Sequence, residues 1–185
     1  PLLWEYLAAA HLHGTYFTSQ NLLFGNSGTW LEGLPIDRRT SATEIDPNSS
    51  YETGADDGIL LDYVATHLDG LAEPRVDVVH MSNTHFPYLV HDDAKPFAPS
   101  AFTKDPDENA AFFNHYRNAV FLQDRAIGHL IRAVRETPAG ERTVIVFTSD
   151  HGEAFREHGQ IGHTLSVYDE EIHVPFWIDA PPGTL

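Results

Sequence analysis

The chain contains no cysteine, which excludes disulfides, thiolate metal sites and a cysteine nucleophile among its 185 residues. Cationic side chains are scarce: Lys and Arg total 11 against 27 Asp and Glu, a formal charge of −16. With no basic cluster to offset that field, nucleic acid and anionic membrane surfaces are poor partners. No apolar run reaches the length of about 18 residues that a membrane-spanning helix needs. No signal peptide is visible, and the first residue is Pro1 rather than Met, so the expectation is a further segment upstream. Repeats and low-complexity tracts are missing too. What remains is a globular composition, 42% hydrophobic and 21% charged, long enough for one core. Twelve histidines are a high count and a first hint of metal or phosphoryl-type chemistry.

One stretch organises the rest: Thr143-Val-Ile-Val-Phe-Thr-Ser-Asp-His-Gly-Glu153. Val144 to Phe147 reads as a strand buried on both faces of a parallel sheet. Polar groups released at its carboxyl end stand in the crevice where open α/β sheets bind ligands. Asp150 offers a hard oxygen and His151 an imidazole nitrogen, both donors to a divalent cation. Gly152 allows a tight turn behind them. Standing alone, an Asp-His pair at a strand end is more often a capped turn than a site.

Helices and strands alternate along the chain. Leu2, Leu3, Tyr6, Leu7 and Ala10 have helical spacing, Gly14 suits the residue after that helix, and Thr15 to Ser19 reads as a strand. Residues 20–54 are loop-rich, with Trp30 as the expected anchor. Thr53 and Asp56 are candidate caps for a helix presenting Ile59, Leu60, Tyr63, Val64, His67 and Leu68; Asp56-Asp57 is read as favourable charge at its start. Val76 to Met81 is the next strand, ending in Ser82-Asn-Thr-His-Phe-Pro-Tyr88. Asp105-Pro-Asp-Glu108 starts a long helix striped by Phe113, Tyr116, Val120, Ile127, Leu130, Ile131 and Val134. A last strand is expected over Val174 to Ile178. This alternation predicts an α/β fold, a mainly parallel sheet with helices on both faces.

In such a sheet the strands' carboxyl ends share one edge, which places His85 beside Asp150-His151 by topology alone. His163 follows closely enough to fold back over them. A cation held by Asp150 and His151, with two further imidazoles aimed at it, makes a site for a tetrahedral oxyanion. The other reading of each histidine is a hydrogen-bonded structural role; His11, His13, His67, His80, His115 and His129 are assigned that role here.

Thr148-Ser-Asp-His-Gly-Glu153, Glu157-His-Gly159, Gly162-His163, Tyr168-Asp-Glu-Glu171 and His173-Val-Pro-Phe176 together resemble the C-terminal motif series of the sulfatase family, in the alkaline phosphatase superfamily. Ser82 to Tyr88 resembles that family's histidine-containing substrate loop. The helix with Asp124-Arg-Ala-Ile-Gly128 is similar to the one preceding its metal strand. The resemblance implies an alkaline-phosphatase-like three-layer sandwich, here incomplete. It implies metal ligation by Asp150 and His151, and contact of His85 and His163 with a sulfate or phosphate group. Arylsulfatases more often carry Asp-Asn with calcium. Asp-His occurs in the branch of phosphonate monoester hydrolases, lipoteichoic acid synthases and phosphoethanolamine transferases, which use manganese, zinc or similar ions. The expected cofactor is therefore a divalent ion among Ca, Mn, Zn and Mg.

The family's Cys/Ser-x-Pro-x-Arg nucleophile motif is missing, and Thr15, Thr18, Ser19 and Ser27 are not in that context. Residues 1–185 are thus expected to form a single partial catalytic domain, inactive alone, whose nucleophile belongs to an upstream part of the same polypeptide. The expected activity is metal-dependent hydrolysis of small anionic sulfate esters, or of phosphoesters. Transfer of phosphoglycerol or phosphoethanolamine groups is the alternative, as is a catalytically dead binding module. Family resemblance also implies an extracytoplasmic or membrane-anchored location, with any anchor outside these residues.

Overall fold

A computed structural model describes residues 2–68, 74–163 and 166–184. Its centre is a three-stranded parallel sheet in the order β2-β1-β3: Arg38–Thr40, His13–Thr18 and Arg75–His80. Alternation along β1 sorts its side chains between two layers. Gly14 and Tyr16 face helix α1 (Leu3–Ala9), where the Trp4 and Tyr16 rings meet edge-on at 6.1 Å. A Cβ on Gly14 would lie 3.0 Å from the Trp4 ring, so a glycine is what lets helix and strand approach. Phe17, on the opposite side, is fully buried against α3 (Asp57–His67) with Leu60, Leu61, Val64 and Leu68. Helix α4 (Asn109–Glu136) closes this core with Ala126, Ile127, Leu130 and Val134. Helices thus cover both faces of a parallel sheet.

Several local expectations shift. Helix α1 ends without Gly14: His11 takes the left-handed conformation (φ 55°), with its N–H on the Ala8 carbonyl and that of Leu12 on the Leu7 carbonyl at 2.9 Å. That is a Schellman closure, which leaves Gly14 to the strand. The loop-rich segment carries β2, a short helix α2 (Ala42–Ile45) and a 3-10 stretch, Phe24–Leu31. Trp30 anchors nothing; it is 77% exposed. Asp56 alone caps α3, accepting from the Gly58 N–H at 2.6 Å, and the buried stripe there is Leu60, Leu61 and Val64, with Ile59 facing solvent. The start of α4 is as expected, with the Asp105 carboxylate capping a turn at Pro106–Glu108. Its first half is rotated by one position: Phe112 and Ala119 are buried where Phe113 and Val120 were expected. They pack with Tyr88 and Phe155 in a second core.

The organising strand needs the largest correction. Strand β4 (Ile145–Thr148) pairs antiparallel with β7 (Phe176–Asp179) and belongs to a separate two-stranded ribbon. It alternates half-buried and exposed residues, Val146 being 58% exposed, so it is not a strand buried on both faces. A further pair, β5 (Ala154–Phe155) and β6 (Ile161–Gly162), forms a hairpin, followed by helix α5 (Asp169–Ile172). Among the described residues no helix is long and apolar enough to cross a membrane.

Candidate active site

Although β3 and β4 are not hydrogen-bonded to each other, their carboxyl ends open into one cleft of about 390 Å3. Val79 and His80 line it from β3, Phe147 and Thr148 from β4, and beyond the strands come His85, Asp150, His151 and Glu153. His163 arrives by the β5–β6 hairpin. Its register pairs Ala154 with Gly162, so the next residues outward, Glu153 and His163, stand opposite each other. The His163 ring stacks on His151 at 3.9 Å between centroids and meets His85 edge-on at 5.3 Å. Three imidazoles from three loops therefore converge beside the Asp150 carboxylate.

Each of these rings has its Nδ1 tied to an oxygen that can only accept. His85 Nδ1 lies 2.7 Å from the Phe86 carbonyl, His151 Nδ1 2.7 Å from the Gly152 carbonyl, and His163 Nδ1 3.0 Å from the Glu153 carboxylate. Nδ1 therefore carries a proton in all three and Nε2 is the atom left for a ligand: as a lone pair it can bind a metal, and with a second proton it can donate to an anion. His151 Nε2 is 3.7 Å from Asp150 Oδ2, so the two donors address the same volume. Asp150 has an 80% exposed side chain that is open to coordination. A hard oxygen and an unprotonated imidazole suit a borderline divalent ion. Among the described residues no group of three or more potential ligands comes together.

Among the described lining residues there is no Lys or Arg. The polar groups facing the cleft are imidazoles, hydroxyls, amides and carboxylates. Glu153, given no role from the sequence, is the neighbour of the cleft histidines that sequence reasoning missed. Its side chain is 5% exposed, and with burial it pushes the Tyr88 and Tyr116 phenols up, keeping them neutral. The spacing of Glu153 and His163 about a Gly-containing turn was the available signal. His80, assigned to the scaffold, also lines the cleft, with its Nδ1 2.8 Å from the Tyr16 hydroxyl. His158 goes elsewhere, paired with Glu170 at 2.6 Å and stacked on Tyr168.

Burial holds the His80 pKa below its ordinary 6.5, against the opposing charges of Asp150 and Asp57. A depressed histidine leaves the folded state with fewer protons than the unfolded one below pH 6.5, so its contribution to stability is complete above that pH and lost as pH falls. His80→Asn, which can keep an acceptor near the Nδ1 position, is expected to flatten the decline of Tm on acidification below 6.5. Thermal melts across a pH series read it directly.

Gly152 turns out to serve close approach rather than an unusual φ. A Cβ there would sit 2.2 Å from the Glu170 carbonyl oxygen, and its own N–H donates to the Glu171 carbonyl at 2.7 Å. Gly152→Ala must push the Asp150-His151 turn off the segment around α5. The expected result is destabilisation of about 1–3 kcal/mol by overpacking, with roughly 10-fold or greater loss of metal affinity, read by calorimetric titration.

Against known proteins, the sulfatase family model matches residues 1–184. A delta 4,5-hexuronate-2-O-sulfatase of Bacteroides thetaiotaomicron is 38% identical over 73 residues, 40% of this chain and 14% of that protein. In fold the chain is similar to the C-terminal periplasmic domain of EcEptC from Escherichia coli, solved with Zn (TM-score 0.75, 19% identity, 98% of this chain and 52% of that one). It is equally similar to the lipoteichoic acid synthase LtaP from Listeria monocytogenes (TM-score 0.75, 14% identity, 100% and 47%). The chain thus spans about half the length of these two solved structures. With the family model running over essentially every residue of a sheet, helix set and cleft of this kind, the chain belongs to the sulfatase family.

Proposed function

We propose that residues 1–185 supply the C-terminal part of a catalytic domain that hydrolyses sulfate esters with the help of a divalent metal ion. The observation that carries this reading is the convergence of His85, His151 and His163 beside Asp150, each ring with Nδ1 protonated and Nε2 free. Asp150 and His151 would hold the metal, which when bound would supply Lewis-acid polarisation of the ester oxygens. His85 and His163 carry Nδ1–H against acceptor oxygens, so each, as a doubly protonated imidazolium, would donate from Nε2 to the oxygens on which charge develops. Glu153, buried behind His163, orients that ring through Nδ1. The nucleophile and the remaining metal ligands come from outside these residues. The family match and the sulfatase relative support a sulfate ester as the first substrate class.

The Asp-His pair supports a second reading, phosphoester hydrolysis or transfer of a phosphate-bearing group, since the fold neighbours include a lipoteichoic acid synthase. Likeness to a periplasmic domain supports an extracytoplasmic setting. The deciding experiment is turnover of 4-nitrophenyl sulfate and bis(4-nitrophenyl) phosphate by the full-length protein, after chelation and after restoring Ca, Mn, Zn or Mg singly. Metal-dependent release from the sulfate ester supports the first reading, and from the phosphodiester the second. Full activity after chelation, or metal-dependent turnover by residues 1–185 alone, overturns the assignment.

A further inference from the structure

Asp57, the first residue of α3, is 2% exposed, and the groups donating to its carboxylate are neutral. Ser19 Oγ from the end of β1 lies 2.5 Å from Oδ1, and the Ser82 N–H 3.1 Å from the same atom. The Asn83 N–H, 3.1 Å away, and Gln123 Nε2 of α4, 2.8 Å away, donate to Oδ2. A buried carboxylate is costly unless its lone pairs are filled, and burial pushes the pKa of this one up. Four donors from three separate segments, together with a helix N-terminus, offset that cost.

Two of the donors are the consecutive amides that open the loop carrying His85. The carbonyl of Ser82 then accepts the His85 N–H at 3.0 Å, and that of Asn83 accepts the Leu89 N–H at 2.9 Å. The Asn83 side chain returns to α3, accepting from the Asp57 N–H at 2.6 Å and donating to the Ala55 carbonyl at 2.8 Å. Only one residue, Thr84, lies between this knot and His85. Resting on the ester-binding site described above, we propose that Asp57 is a positioning residue: through the clamped Ser82 and Asn83 amides it fixes where His85 stands relative to His163 and His151. A carboxylate is required because every neighbour is a donor. An asparagine there turns an N–H toward one of them, losing an acceptor and placing two donors face to face.

The test is a double-mutant cycle in the full-length protein, with 4-nitrophenyl sulfate and bis(4-nitrophenyl) phosphate as probes. Asp57→Asn is expected to lower kcat/KM by about 10- to 100-fold, the scale of a catalytic group displaced by a fraction of an ångström to an ångström. In a His85→Ala background the same change is expected to cost no more than about 2-fold, because the group it positions is gone. Ser19→Ala, which removes one donor and keeps the carboxylate, is expected to lose less in the same direction. Equal losses with and without His85 show a merely structural role and overturn the proposal. A His85→Ala protein as active as the parent sinks the ester-site reading instead. Should neither probe be turned over, 15N-histidine spectra decide. Movement of the His85 ring signals in Asp57→Asn and Ser19→Ala, with His158 unmoved, sustains the positioning role; unchanged His85 signals overturn it.

Discussion

Asp150→Ala in the full-length protein is expected to lower kcat/KM by at least about 10³-fold, or ~4 kcal/mol, the scale of the several kcal/mol a Lewis-acid metal supplies. The reasoning is geometric. Asp150 Oδ2 faces His151 Nε2 at 3.7 Å, and no described Lys or Arg lines the cleft to take over its share of the work. His151→Ala is expected to do the same, since Nε2 is the atom left free when Nδ1 donates to the Gly152 carbonyl. In both variants metal stoichiometry should fall together with activity, measured by calorimetric titration on the chelated protein. His158→Ala is the control: its ring is committed to Glu170 and Tyr168, so activity should be unchanged. A variant lacking Asp150 that keeps both metal and turnover removes the pair from the mechanism.

What the sequence disclosed, and what it hid, follows from the range of the forces involved. The Asp105-Pro-Asp-Glu108 start is legible because its hydrogen bond spans two residues, Asp105 to Asp107. Asp150-His151 is legible because a strand's carboxyl end is defined by the chain itself. The partner of β4 is not: Val144 and Val146 are apolar yet exposed, which erases the two-residue alternation that marks a half-exposed antiparallel strand. Asp57 reads as a surface charge on a helix dipole because its donors, Ser19, Ser82, Asn83 and Gln123, are brought to it only by the folded core. The pairing of Glu153 with His163 was hidden the same way, made by a hairpin whose strands are two residues each. The long-range pairs, not the local caps, are where the site's chemistry is tuned.

Phe112→Ala is expected to destabilise the protein by about 3–5 kcal/mol, the largest loss foreseen for a single core change. Phe112 is completely buried, with Tyr88 at 5.7 Å, Phe155 at 5.6 Å and Phe102 at 6.1 Å between ring centroids. Truncation leaves a cavity lined by rigid rings that cannot collapse into it, which puts the cost at the high end. Denaturant unfolding should show a lower midpoint at unchanged slope, and Phe112→Leu should lose far less. Trp30→Ala, at a 77% exposed position, should stay within about 0.5 kcal/mol. The cluster also has a bearing on the cleft. Tyr88 closes the loop that holds His85, its N–H on the His85 carbonyl at 2.8 Å, and Phe155 lies on the hairpin that returns His163. Phe112 therefore supports both histidine-bearing segments from below. If its removal left their mutual ring contact intact, as read from histidine spectra of the folded variant, the two loops would have to be held by their own hydrogen bonds alone.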